Sequence, residues 1–210
     1  MFDDAYQELD DQNREVLFRL LSAVMDGSPY DPSLTKTLYH ALPFYPHHII
    51  VEANENHGNG QSRMTTAILP DDMTSWSADN LTLLDGTNVP IYKLNESVPV
   101  RIDQHTVTYY IQFFFLYVRG EQGIFDVIQS VEDIKWFEAP APAGKVALSK
   151  MIEPLQIREA KPEAITVKAN IIFKDSLFES DITVQSNGLV TLSNQEILVE
   201  DLPIIDQNFG

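Results

Sequence analysis

The chain has 210 residues, 44% of them hydrophobic and 21% charged, and a formal charge of −17. At that size it can bury a core without covalent staples, and having no cysteine it has no disulfide, thiolate metal site or cysteine nucleophile. The negative field repels phosphate backbones and anionic lipid, which argues against nucleic acid and membrane surfaces as partners. The acidic start Met1-Phe2-Asp3-Asp4 is followed by no apolar run, so no secretory signal is read. The longest apolar stretch, 109–118, is too short for a spanning helix. Cytoplasm is the simplest location.

In chain order, the first element is a helix. Leu9, Val16, Leu17, Leu20, Leu21 and Val24 make one apolar stripe, with Asp3, Asp4 and Glu8 near its positive end and Gly27 as its stop. A second helix is expected from Asp31 as N-cap and Pro32 at the first position, with Leu34, Leu38 and Leu42 as its stripe and Pro43 and Pro46 ending it.

From His47 the pattern turns to period two. Strands are expected at 48–53 and 64–69, joined by the polar loop 54–60, with 70–80 as loop. Short strands follow at 81–84 and 89–94, with Asp85-Gly86 turning between them. The most apolar strand is read at 106–118, where Val107, Tyr109, Ile111, Phe113, Phe115 and Tyr117 share one face. Gly120 and Gly123 bracket a turn, and 124–130 should return antiparallel.

The stretch 137–144 reads as a Pro/Ala linker, and 146–157 as a short helix interrupted by Pro154. Alternation then marks strands at 165–173, 178–184, 189–192 and 197–202, a four-strand meander whose Asn187-Gly188 is the signature of a two-residue type I′ hairpin.

The expected fold class is α+β: an N-terminal helix pair, a mostly antiparallel β-sheet and a C-terminal four-strand meander. The expected organisation is a helix pair over 1–46 packing on the sheet, an antiparallel β lobe over 47–137, a linker with a short helix over 138–163, and an acidic β-meander lobe over 164–210. Asp133-Ile134-Lys135-Trp136-Phe137-Glu138-Ala139-Pro140 resembles the Phe-Glu-Ala-Pro region of the bacterial Sec export chaperone, but the rest of the chain lacks that family's pattern and no family is assigned.

No motif assigns catalytic residues, a cofactor or a metal. His40, His47, His48 and His57 cluster with Glu52, yet adjacent strand residues point to opposite faces, so one ion cannot take both His47 and His48. His57-Gly58-Asn59-Gly60-Gln61-Ser62 lacks the Lys and the following helix of a phosphate loop, and no Gly-x-Ser-x-Gly occurs. Two surfaces remain as candidates. One is acidic: Glu179, Asp181, Glu196, Glu200 and Asp201 lie in a stretch with no base after Lys174. The other is aromatic: a cleft between helix pair and sheet, for which His105, Tyr109, Tyr110 and Arg119 are the ligand-binding candidates.

The function expected from these features is a non-catalytic binding or assembly protein, a subunit or adaptor using the acidic face and the aromatic-rich sheet. It would take a protein partner of basic character, and a homo-oligomer is compatible with it. The alternative is an enzyme or small-ligand-binding protein whose apolar cleft lies between the helix pair and the sheet. A concave sheet with converging polar groups favours the alternative; a flat apolar face favours assembly.

Overall fold

In a computed structural model, residues 6–58, 60–120 and 123–205 are described. Helix and sheet are mixed, and all strand pairings among the described residues are antiparallel. No helix is long and apolar enough to cross a membrane. Internal contacts divide the chain into two units, Met1–Asp85 and Gly86–Gly210. The stretch 138–163 falls inside the second.

The first unit opens with β1 (Gln7–Glu8) and α1 (Asp11–Val24). The carboxylate of Asp10 accepts the N–H of Asn13 at 2.8 Å and caps α1. Asp3 and Asp4 lie outside the described residues, and Glu8 is in β1 rather than in the helix. Leu17, Phe18 and Leu21 bury the inner stripe of α1, and Leu9 enters the same core from the link ahead of it.

The expected second helix is instead a strand, β2 (Thr35–Ala41). Asp31 does cap, but only one turn: its carboxylate accepts the N–H of Ser33, and its carbonyl accepts the N–H of Leu34 at 3.1 Å. The hydroxyl of Thr35 also bonds that carbonyl at 2.7 Å. A side chain thus competes for the group on which a second helical turn would build, and Thr35, Thr37 and Tyr39 favour extended backbone. The spacing of Leu34, Leu38 and Leu42 matched a helix by coincidence, and Leu34 ends up exposed.

β2 joins β3 (His48–Asn56), β4 (Ser62–Pro70) and β5 (Thr82–Leu84) in a sheet of order β1-β2-β3-β4-β5. Ile49, Val51 and Ala53 on β3, with Leu69 on β4, pack with α1, Tyr30 and Trp76. The alternation expected over 48–53 and 64–69 is therefore the core face of this sheet.

In the second unit, two expected strands are helices. α2 (Val89–Ser97) has Pro90 in its first turn, where a missing N–H costs nothing, and buries Ile91 and Leu94 at helical spacing. α3 (Val107–Tyr117) occupies the segment read as the central strand. It buries Val107, Tyr110, Ile111, Phe113, Phe114 and Phe115, which reach around most of its circumference. A helix covered on most sides shows no polar stripe, and its β-branched and aromatic residues carry strand propensity, so the period was misread.

β6 (Phe125–Ile128) does form where a return strand was expected, but it pairs with β8. After α4 (Pro142–Ser149), which takes up part of the expected linker, come β7 (Gln156–Ala160), β8 (Ala164–Phe173), β9 (Ser176–Gln185) and β10 (Val190–Val199). The sheet order is β10-β9-β8-β6, with β7 also on β8. The meander is confirmed only coarsely: 189–192 and 197–202 are not separate strands but mostly one, β10, broken in register between Ser193 and Glu196. Asn194 takes a positive φ of 50° there, and β9 holds the bulge through Ser180 Oγ to the Ser193 carbonyl (3.0 Å) and Asn194 Nδ2 to Asp181 (2.8 Å).

The β9–β10 turn is also a correction. Gly188 has φ 81° but Asn187 does not share the positive φ, and Gly188 N–H bonds the Gln185 carbonyl at 2.8 Å. This is a three-residue loop closing on a left-handed glycine rather than a type I′ pair. One face of the sheet buries Ile165, Val167, Ile182 and Val184, and α3 packs on β6 and β9. On the other face Ile172 and Leu177 join Ile128, Val131, Leu148 and Leu202 in a second core.

Candidate binding cleft

The register of the second unit's sheet decides which side chains meet. Ile171 pairs with Phe178, Ala169 with Ser180, and Phe173 with Phe125, so odd positions of β8 share a face with even positions of β9. Toward the Phe173 end that face opens into a cleft of about 490 Å³. It is lined by Phe125, Ile171, Phe173, Phe178, Ser180, Leu192 and Gln195. Phe125 and Phe173 stack with centroids 4.3 Å apart and planes 13° from parallel, which fixes the floor. The bulge in β10 sets Leu192 and Gln195 on the rim. Apolar walls with two polar groups, in a volume suited to a small molecule, are what a binding pocket requires.

No family model, curated protein or solved structure matches the chain. The reading of this cleft therefore rests on its own geometry.

The four residues first proposed for a cleft lie elsewhere, and none is among those lining this one. His105 precedes α3, and its backbone N–H bonds Asp103 Oδ1 at 2.8 Å. Arg119 follows α3, and its N–H bonds the Gly86 carbonyl at 2.7 Å. Between them the 11-residue helix spans about 16 Å. Tyr109 is 42% exposed, whereas Tyr110, about 100° round the helix, is fully buried. Tyr110 donates to the Gly188 carbonyl at 2.8 Å and accepts from Asn95 Nδ2 at 3.2 Å, and nearby the Val190 N–H bonds the Tyr92 hydroxyl at 3.2 Å. Burial pushes the Tyr92 phenol up, against the Val190 bond.

The acidic candidates separate into two groups. Glu179 meets Arg158 at 3.0 Å and Lys168 at 2.9 Å, and Asp181 meets Arg158 at 3.2 Å. The stretch after Lys174 has no base of its own, but the sheet supplies two from β7 and β8, with Lys168 directly across from Asp181. Hydrogen bonds to Glu179 and Glu153 hold Lys168 above its ordinary 10.5. Glu196, Glu200 and Asp201 are exposed, and none makes an ion pair with another described residue.

In the first unit the histidines disperse. His40 bonds the Ala41 carbonyl through Nδ1, His47 sits 3.5 Å from Asp71, and His57 lies 3.4 Å from Glu55. Among the described residues no three His, Asp or Glu groups converge as a metal site. Glu55 is the unforeseen residue there: buried, it receives the Asp31 N–H at 2.7 Å and faces Arg63 Nη2 at 3.0 Å, an ion pair without hydrogen-bond alignment. Arg63 also lies 3.8 Å from the centre of the Tyr30 ring.

Sequence reasoning identified the strands that build the cleft but not the cleft. The available signal was the row of large side chains ending β8 and beginning β9, Phe173 and Phe178, on the otherwise core-facing positions.

Proposed function

We propose that the chain is a non-catalytic binding protein that holds an apolar group in the cleft of its second unit. The observation that carries this reading is the half-open floor of Phe125, Phe173 and Phe178 on a sheet face that is elsewhere buried. Titration with Nile red, a neutral apolar dye, tests it. Gln195 is exposed on the rim, so Gln195→Trp should leave the fold intact, occupy the mouth and weaken dye binding about tenfold or more. Unchanged dye affinity in that variant would remove the cleft from consideration.

A second reading, docking to a basic protein partner, is supported by Glu196, Glu200 and Asp201, exposed and unpaired among the described residues. Electrostatic steering would then make association fast at low salt and slower as screening grows. Reversing these three residues to Lys should slow association with such a partner; rates indifferent to both salt and reversal would count against docking.

A further inference from the structure

We infer that the cleft takes an amphipathic carboxylate, its apolar body on the phenylalanine floor and its single anionic head at Lys174. The inference rests on the binding reading above and names the ligand class. Lys174 occupies the β8–β9 turn with φ 55°, directly after the cleft-lining Phe173. Its ammonium lies over the Phe173 ring, 5.3 Å from the centroid, so the charge is held beside the floor.

Lys174 is exposed and makes no ion pair with a described residue, unlike Lys168 on the opposite face, which serves Glu179 and Glu153. The next acid, Asp175, accepts the hydroxyl of Ser176 at 3.1 Å. A cation beside an apolar cleft complements a ligand with an apolar body and an anionic end. The chain's charge of −17 sets the size of that end. A doubly charged phosphate meets more repulsion from such a field than a singly charged carboxylate, so one lysine suits the carboxylate.

The test uses decanoate below its micelle threshold and uncharged decanol, followed by methyl NMR of the full chain. Both should shift the methyl signals of Ile171 and Leu192. Lys174→Gln should weaken decanoate two- to fivefold, the effect of one exposed ion pair, and leave decanol unchanged. Raised salt should weaken decanoate alone. If both bind and Lys174→Gln affects neither, the carboxylate inference is overturned and the apolar cleft stands. If neither moves those methyls, the binding reading falls with it.

Discussion

The hydroxyl of Tyr110 donates to the carbonyl oxygen of Gly188 at 2.8 Å, fastening the β9–β10 turn to α3 across 78 positions of sequence. Gly188 fits for two reasons. Its φ of 81° is costly for any side-chain-bearing residue, and an added Cβ would collide with Asn95 Nδ2 and stand 2.7 Å from the Tyr110 hydroxyl. Gly188→Val should therefore cost on the order of 3 kcal/mol by chemical denaturation. Tyr110→Phe, which removes only the donor, should cost about 1–3 kcal/mol. A Gly188→Val loss below about 0.5 kcal/mol would contradict the packing described.

Asp103 prepares α3. Its Oδ1 accepts the N–H groups of His105 at 2.8 Å and Thr106 at 3.0 Å, and Arg101 Nε reaches Oδ2 at 2.8 Å. Burial raises its pKa, but these bonds outweigh that and hold it below the ordinary 3.8. A lowered folded pKa gives stability that is present above the unfolded value and lost as pH falls through the folded one. Asp103→Ala should cost about 1 kcal/mol near neutral pH. The gap between variant and parent should narrow below about 3.8, measured by urea unfolding across acid pH.

Glu179 and Asp181 lie in the ion-pair network with Arg158 and Lys168, so their reversal is not a surface change. Glu179→Lys with Asp181→Lys should destabilise by on the order of 2–4 kcal/mol, because two cations would face two others on a partly desolvated surface. Thermal unfolding equal to the parent would show that the network contributes nothing. This outcome differs from the intact fold that a solvated acidic face predicts.

Glu55→Gln tests the half-buried pair of Glu55 and Arg63 in the first unit. The amide can still accept the Asp31 N–H, but Arg63 loses its counter-charge at 3.0 Å. The expected loss is about 1–2 kcal/mol, since Glu55 is buried but the Arg63 left without its partner is partly exposed and partly solvated. Double substitution with Arg63→Met should recover part of the loss, and no recovery would place the cost elsewhere.

Local chemistry on its own determined the elements whose two faces differ. The stripe of Leu17, Leu20 and Leu21 marked α1, and alternation at 48–53, 165–173 and 178–184 marked β3, β8 and β9, because in each one face is the more apolar and the other carries the polar residues. Where contrast between faces vanished, sequence could not choose. α3 is buried on most sides, so its spacing of Val107, Tyr110, Ile111 and Phe114 was hidden among aromatics that also suit a strand. At β2 the extended preference of Thr35, Thr37 and Tyr39, with a hydroxyl contact from Thr35 to Asp31, goes with a single turn and a strand, and leucine periodicity does not register either. Strand register decided the rest. It brought Arg158 and Lys168 to Glu179 and Asp181 from outside the base-free stretch, and it set Phe125 against Phe173. A charge count along a chain sees neighbours in order, whereas ion pairs and clefts are made by residues that a sheet aligns across strands.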